Sequence, residues 1–410
     1  MSLNLKYLLA LGMLLAFAII FSQDRLIPPF LQITEYYNLS EQEGKTTYII
    51  YFSGAFLSTV SSFYVLQKLS SKTNLLMGLL IALSGCLLVL LIDNRYTFMV
   101  SRALEGFGIQ MSSNTIPPMI TTIFNGKTPT HFFKRFTYSF TSAQVFSLFS
   151  CSMSVSGIII PALSGIITQS IGWKPLYWVF MAIIGLLLII MYKAGLERVD
   201  PYLQQEKSLS FKEKINHLLK KKYFLGYCLV SSLCTILIIY QIISFSILLL
   251  EQLHLTPGNF GMLSLLLGLT SLISVGITMR FAKKYEERIR RLTICLAPLF
   301  PCILLAWNID HLALFSYVTP LVFSMLCFGL FSPLLTAKTF ASYQDNPKLA
   351  SSFYYITQMI ACIIGSTLSS LISTKYYTDV FLCSFIVTSC ISITYIWISY
   401  QEPKHKKLDS

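Results

Sequence analysis

Charged side chains are scarce in this chain of 410 residues: only 12% are Asp, Glu, Lys or Arg, whereas 54% are hydrophobic. Soluble domains carry about 25% charged residues. A water-soluble fold cannot bury so much apolar sequence, so the composition excludes it and favours a membrane as the solvent.

Two patterns of catalytic or nucleotide-binding proteins are missing. The chain contains no G-x-x-x-x-G-K-[ST] and no H-E-x-x-H, so we expect neither an ATP-binding loop nor a metal site. An intramembrane hydrolase or metalloprotease would need histidine at depth, yet the five histidines fall in predicted loops or turns: His131, His217, His254, His311 and His405. We therefore expect no enzyme and no cofactor, and an ion gradient, most simply of protons, as the energy source.

What the chain does contain is long stretches almost free of charge. Each can hold the ~20 apolar residues that cross a ~30 Å hydrocarbon layer. There are twelve, at about 7–33, 46–67, 73–92, 96–126, 136–173, 175–192, 223–250, 252–279, 292–309, 312–337, 349–374 and 380–401. They predict an all-α polytopic membrane protein with 12 transmembrane helices in two six-helix bundles.

The net charge of +13 first suggests a nucleic-acid partner, but the placement of the basic residues argues against one. Of the 31 Lys and Arg, 25 fall in alternate loops on one side, and only Lys45, Arg95, Lys174 and Lys375 fall on the other. This is the positive-inside pattern. It predicts that both termini are cytoplasmic, that the partner is membrane lipid, and that no nucleic acid is bound.

The longest polar stretch divides the chain. We predict an N-terminal six-helix bundle at 1–192, a cytoplasmic linker at 193–222, a C-terminal bundle at 223–402 and a cytoplasmic tail at 403–410. The linker is either an amphipathic helix on the inner leaflet or a solvated connection. Short basic turns after the second and eighth spans, at Lys68, Lys72 and Arg280, are the candidate cytoplasmic gating turns and suggest that the halves are parallel repeats.

Four charges lie inside the apolar stretches: Asp24, Arg25, Arg102 and Glu105. A proline removes a backbone hydrogen bond, so Pro28 and Pro29 predict a helix break beside Asp24. Burial disfavours an ionised carboxylate and a nearby cation favours it, so Asp24 can bind and release a proton. The alternative is that Asp24 and Arg25 cap a short helix in water at the outer interface.

Arg102 and Glu105 lie one turn apart on one helix face, where they pair either as part of proton coupling or as a static packing contact. In the fifth span, Gly157, Pro161 and Gly165 share a face and form either a hinge or a close packing contact. Uncharged polar and aromatic side chains complete a candidate cavity: Gln144, Tyr51, Tyr240, Gln241 and Gln358.

Several motifs resemble the major facilitator superfamily. Arg102, Gly106 and Gly108 match its R-x-x-x-G-x-G element in the fourth span, and Gly157, Pro161 and Gly165 resemble its antiporter element. The stretches from Asp24 to Pro28 and from Glu251 to Gly261 are similar to segments of the bicyclomycin- and chloramphenicol-resistance type of drug/proton antiporter. The resemblance implies that spans one and four are neighbours, so that Asp24, Arg102 and Glu105 carry proton coupling.

The chain also departs from the family pattern. Lys68 replaces the acid of the turn after span two, Ile160 and Ser164 replace small residues of the antiporter element, and Glu105 stands where relatives more often have Gln or His.

Taken with the resemblance, these residues predict a monomeric, multi-pass transporter of a bacterial inner membrane, which exports small, partly hydrophobic compounds such as drugs in exchange for protons. A siderophore or metabolite carrier, exporting or importing, and a non-transporting receptor or scaffold are the alternatives.

Overall fold

The structure of the chain is a computed structural model. The structure describes residues 5–64, 69–115, 142–196, 218, 220–296, 313–342, 347–374 and 377–401. These residues form helices, turns and short connections, with no strand among them. In chain order the helices are α1 (Leu5–Asp24), α2 (Phe30–Tyr36), α3 (Glu41–Tyr64), α4 (Ser71–Leu91), α5 (Arg95–Ser113), α6 (Ser142–Ile171), α7 (Pro175–Ala194), α8 (Lys222–Gln252), α9 (Pro257–Leu296), α10 (Ala313–Ala341), α11 (Pro347–Leu371) and α12 (Tyr377–Gln401).

Eleven of the twelve apolar stretches coincide with a long helix, and most of the ninth, 292–309, lies outside the described residues. Eight of the described helices are long and apolar enough to cross a membrane: α1, α4, α6, α7, α8, α9, α10 and α12. The other three long helices, α3, α5 and α11, carry more polar side chains. α5 bears two of the intramembrane charges, so its low hydropathy reflects the polar groups that it holds inside the protein.

The described helices group into two compact units. The first comprises Met1–Ser208 with Leu255–Gly268, and the second comprises Leu209–His254 with Leu269–Ser410. Each unit has its own apolar core, which in the first includes Leu15 of α1, Leu79 of α4 and Phe180 of α7. In the second, Tyr227 of α8 and Phe331 of α10 pack with Ile391, Tyr395 and other residues of α12.

The first span is broken where the prolines stand. α1 ends at Asp24, and the chain turns before α2 begins at Phe30 with Pro29 at its N-cap. Pro28 has no amide hydrogen to donate to the Asp24 carbonyl, which instead accepts a hydrogen bond from the amide of Ile27 at 3.1 Å. The break therefore leaves Asp24 at the end of a helix without leaving its carbonyl unpaired.

The turn predicted at Arg280 is wrong. α9 continues through Arg280 to Leu296, 40 residues in all. From Phe281 to Leu296 there is neither glycine nor proline, and Lys, Arg, Glu and Leu are good helix formers. A cluster of charged residues therefore does not end this helix. Lys68, most of the 193–222 linker and the 403–410 tail lie outside the described residues.

Candidate functional site

α5 is held between two helices by its glycines. A Cβ atom on Gly106 would lie 2.0 Å from the carbonyl oxygen of Tyr51 in α3, and one on Gly108 would lie 2.4 Å from that of Gly78 in α4. Any side chain at either position would displace a backbone. The spacing of Arg102, Gly106 and Gly108 thus places α5 against both neighbours while its arginine lies one turn above the contact.

Glu105 is shared by two arginines. Its Oε2 accepts a hydrogen bond from Arg102 Nη1 at 2.7 Å, and its Oε1 accepts one from Arg25 Nη2 at 2.7 Å. All three side chains are fully buried. The Cys86 thiol also donates to Glu105 Oε1 at 3.6 Å. We call Arg25, Arg102 and Glu105 the ion triad; it ties the end of α1 to α5.

The backbone of α1 and nearby aromatic rings complete the surroundings of the arginines. The Ser22 carbonyl accepts from Arg25 Nη1 at 3.0 Å and from Arg102 Nη1 at 2.9 Å. The Arg25 guanidinium lies 4.5 Å from the ring centre of Phe180 and 4.8 Å from that of Tyr177, and Arg102 lies 4.6 Å from that of Tyr51. Desolvated cation–π contacts of this kind each stabilise a buried cation by about 2 kcal/mol.

Asp24 lies beside the triad without joining an ion pair among the described residues. It is 7% exposed, and its Oδ1 atom has no hydrogen-bond partner in that part of the chain. Within the same limits, Nε and Nη2 of Arg102 and Nε of Arg25 also lack partners. Two arginines and Glu105 leave one positive charge, which an ionised Asp24 balances and a protonated Asp24 does not.

The structure therefore brings Asp24, Arg102, Glu105 and Tyr51 together near the end of α1. The sequence did not predict that Arg25 pairs with Glu105. The one signal was that Arg25 is a charged residue inside an apolar stretch, where a charge needs a partner. The alternative in which Asp24 and Arg25 cap a helix in water is wrong, because both are buried. The proton-coupling roles stay predictions.

The glycine and proline face of α6 makes contact in only part of its length. A Cβ atom on Gly165 would lie 2.2 Å from the Pro257 carbonyl oxygen at the start of α9, and the Pro161 carbonyl approaches Gly261 of the same helix. A Cβ atom on Gly157 would have no described heavy atom within 4 Å apart from the backbone of its own helix. The helix is continuous through Pro161.

The other candidate cavity residues belong to the second unit or are not described. Tyr240 donates to the Val380 carbonyl at 3.2 Å, and Gln241 accepts from Ser324 at 2.5 Å. Gln358 accepts from Thr235 and donates to Ser231 at 3.2 Å. These bonds join helices of the second unit. The side chain of Gln144 lies outside the described residues.

A second polar cluster fastens α2 after the break. Asp93, between α4 and α5, accepts from Lys174 at 2.6 Å, from Tyr37 at 3.2 Å and from Tyr36, and the Lys174 ammonium lies 4.6 Å from the Tyr36 ring centre. We call these four residues the α2 clasp. The hydrogen bonds from Lys174 and Tyr36 lower the pKa of Asp93, and the bond to Asp93 raises the pKa of Lys174. Both side chains are 41% exposed, so water screens this pair.

Of the remaining predicted turn residues, Lys72 lies in the first turn of α4, where Ser70 caps the helix by accepting from the Thr73 amide at 3.0 Å. Arg280 is exposed on α9.

Among the described residues, no group of three or more His, Cys, Asp or Glu is placed to hold a metal ion.

The fold resembles that of known membrane transporters. A D-xylose–proton symporter superposes with a TM-score of 0.74 at 10% identity, covering 97% of each chain. A peptide transporter, POT, superposes with a TM-score of 0.72 at 14% identity, covering 96% of this chain and 94% of the other. At such identities the likeness shows the fold alone. It confirms the prediction of an all-α polytopic membrane protein with a two-bundle architecture.

The sequence shows the family as well. The model of the Major Facilitator Superfamily matches residues 12–366, and the chain belongs to that superfamily. An uncharacterized transporter of Rickettsia felis is 20% identical over 388 residues, which cover 91% of this chain and 92% of the relative. A protein TsgA homolog of Buchnera aphidicola is 25% identical over 179 residues, 43% of this chain and 41% of the relative. The protein is a multi-pass membrane transporter for a small-molecule substrate.

Proposed function

We propose that the protein is a proton-coupled secondary transporter in which Asp24 takes up and releases the proton. The observation that carries the proposal is the state of the two buried carboxylates. Glu105 is engaged by two arginines, whereas Asp24 is almost equally buried and keeps an oxygen without a partner among the described residues. A buried charge needs a partner, so Asp24 is the group whose charge can change at the lower cost.

The charges of the cluster explain how a proton would matter. With Asp24 ionised, Asp24 and the ion triad sum to zero; with Asp24 protonated, they sum to +1. A proton that enters from one side of the membrane and leaves to the other thus changes the charge of the site by one unit. Such a change alters which substrates the site binds, which is the requirement for coupling.

The resemblance to drug/proton antiporters supplies the direction. In that cycle, protonation of Asp24 on one side releases a small, partly hydrophobic compound, and deprotonation on the other allows the next to bind. The rings of Tyr51, Tyr177 and Phe180 beside the arginines offer an apolar surface for such a compound. The bicyclomycin-type assignment rests on the sequence motifs alone.

A metabolite carrier on the same fold is the second candidate. It is favoured by the excess of buried arginine over the carboxylates that pair with it, since two cations next to one carboxylate suit an anionic cargo. The resemblance of the fold to a D-xylose–proton symporter fits proton-coupled uptake as readily as efflux. A non-transporting scaffold would gain nothing from four buried charges that cost free energy to insert.

The proton site can be tested without knowing the substrate. Infrared difference spectra between about pH 6 and about pH 8, a range in which exposed carboxyl groups stay ionised, should show the carbonyl band of a protonated carboxyl group in the wild-type protein, and Asp24→Asn should remove it. The matched control is Asp379→Asn, because Asp379 is exposed in the first turn of α12. If the band persists in Asp24→Asn, Asp24 is not the proton site.

The coupling is tested in proteoliposomes with ethidium as a small, partly hydrophobic probe. For an antiporter, an imposed pH gradient should drive ethidium flux in the wild type and in Asp379→Asn but not in Asp24→Asn. Gradient-driven flux that survives Asp24→Asn would contradict the proposed role. Flux of carboxylates in place of ethidium would select the metabolite carrier.

A further inference from the structure

The proton-coupling proposal leaves one edge of the Arg102 guanidinium unused. Nη1 of Arg102 makes both of the hydrogen bonds of this side chain to described groups, to Glu105 Oε2 at 2.7 Å and to the Ser22 carbonyl at 2.9 Å. Nε and Nη2 have no partner among the described residues, although the side chain is fully buried. Nε and Nη2 lie on the same side of the planar group, so they form a two-donor edge.

A purely structural arginine would not be expected to keep such an edge. A buried donor without a partner costs about 1–3 kcal/mol, and more when it belongs to a charged group. Arg25 shows the contrast, because both of its Nη atoms donate, one to Glu105 and one to the Ser22 carbonyl, and only its Nε lacks a described partner. Of the three guanidinium donors without a described partner, two therefore belong to Arg102 and one to Arg25.

The chemistry of the edge defines what fits it. The two N–H groups are parallel and match the two oxygens of a carboxylate in a bidentate pair. The ring of Tyr51 lies 4.6 Å from the guanidinium and gives the site an apolar wall. When Asp24 is protonated, the cluster carries a charge of +1, which one monovalent anion neutralises.

We infer that the Nε–Nη2 edge of Arg102 binds a carboxylate group of the transported molecule, and that ionised Asp24 competes with this carboxylate for the edge. The inference rests on the proposed function of Asp24. Asp24 Oδ1 is the carboxylate oxygen of the cluster that has no hydrogen-bond partner among the described residues, so deprotonation returns the site to neutrality without cargo. The hydroxyls of Ser22 and Tyr177 also lack a partner within these limits. Proton and organic anion then bind together and cross together, so the inference keeps Asp24 as the proton site but selects the second candidate, a proton-coupled metabolite carrier, over drug/proton exchange.

Other titratable groups surround the cluster and enter its pH dependence. From Ser152 to Ile171, the part of α6 whose side chains are described, the helix has no titratable residue. Those that face the cluster are Arg25 of the α1–α2 turn, Tyr48 and Tyr51 of α3, Cys86 of α4, Arg102 and Glu105 of α5, and Tyr177 of α7. Near neutral pH, tyrosines and a buried thiol are uncharged and arginines stay charged. Glu105 already accepts from two guanidinium groups, so Asp24 is the group whose ionisation decides anion binding.

The test uses the purified protein in detergent and a homologous series of straight-chain carboxylates, from acetate to decanoate, each paired with its primary amide. Binding is measured from the shift in melting temperature at about pH 6 and about pH 8, where the probes are ionised. At least one carboxylate should bind about tenfold or more tightly than its amide at the lower pH, and its binding should weaken at the higher pH. If no carboxylate exceeds its amide at either pH, the inference is wrong.

Two conservative variants localise the site. Arg102→Lys keeps the charge beside Glu105 but loses the two-donor edge, so carboxylate binding should fall about tenfold while amide binding stays unchanged. Arg95→Lys makes the same chemical change at an exposed arginine of α5 outside the ion triad and should leave the preference for carboxylate over amide intact. Equal loss in both variants would overturn the assignment to Arg102.

Asp24→Asn provides the test if Arg102→Lys does not fold, because it removes no donor from either arginine. It should bind the carboxylate equally well at both pH values, since the competitor is gone. Carboxylate binding that still weakens at high pH in this variant would contradict the competition. The two proposals fail separately: the infrared band reports the proton on Asp24 whether or not any carboxylate binds.

Discussion

At the scale of single residues, Glu105 is the group on which the ion triad depends. Both of its oxygens accept from a guanidinium, and the two donors come from different parts of the chain, α5 and the turn after α1. A buried ion pair gains little over an apolar contact, but removing one partner leaves a buried charge without compensation. The stability of the site is therefore asymmetric: losing Glu105 exposes two arginines to this cost at once.

Glu105→Gln should accordingly be strongly destabilising. We expect a loss of about 3–5 kcal/mol in the free energy of unfolding, because the neutral amide cannot balance two buried cations. Equilibrium unfolding in mixed micelles measures it. Glu35→Gln is the matched control, since Glu35 is exposed on α2, and it should stay within about 0.5 kcal/mol of wild type. Equal stability of the two variants would mean that the triad is not formed as described.

The sequence predicted which charged residues form the site, but not all of the ion pairs between them. A charge in an apolar stretch is costly, so the sequence alone singled out Asp24, Arg25, Arg102 and Glu105. The i, i+3 spacing gave the Arg102–Glu105 pair. The Arg25–Glu105 pair spans 80 residues and depends on how α1 packs on α5, which no local pattern encodes.

At the scale of helices, close packing depends on where glycine meets a neighbouring backbone. Gly157 and Gly165 read alike in the sequence, eight residues apart on one face of α6, yet only Gly165 faces the start of α9. Which part of a helix face has a neighbour is set by the crossing of the two helices, and the spacing of small residues does not record it.

Gly165→Ala should therefore lower the stability of the protein, whereas Gly157→Ala should raise it. A methyl group at Gly165 would lie 2.2 Å from a backbone oxygen, so the helices must separate, at a cost of about 1–3 kcal/mol. At Gly157 the same change meets no described neighbour and removes a glycine from a helix interior, which stabilises by up to about 1 kcal/mol. The melting temperatures of the two variants, each compared with that of the wild type, test this difference. A decrease of the same size in both variants would contradict the packing at Gly165.

Helix existence was easier to predict than helix ends. Uninterrupted apolar stretches specify spans because the backbone must satisfy its own hydrogen bonds in lipid. A charged cluster after an apolar stretch does not have to end the helix. α9 continues past Arg280 because residues 281–296 include no glycine or proline that would end it. The break after Asp24 was predictable because proline removes a specific hydrogen bond.

At the scale of the whole molecule, the distribution of basic residues predicts the orientation of the chain in the membrane. Twenty-five of the 31 Lys and Arg fall between alternate predicted spans on one side, six of them in the part of α9 from Arg280 onward, and Lys174 of the α2 clasp is one of the four on the opposite side. The short turns that hold Asp93 and Lys174 should therefore face away from the cytoplasm, together with the α2 clasp and the end of α1. Asp24 then lies nearer the side from which protons would enter during uptake.

Reporter fusions test this orientation directly. A green fluorescent protein fused after Ser410 should fluoresce, because it folds only on the cytoplasmic side. Alkaline phosphatase inserted after Asn94 should be active, because it needs the outer side. The control insertion after Lys72, in the first turn of α4, should be inactive because that turn belongs to the basic side. Activity at Lys72 and none at Asn94 would invert the topology, and it would place Asp24 and the α2 clasp toward the cytoplasm.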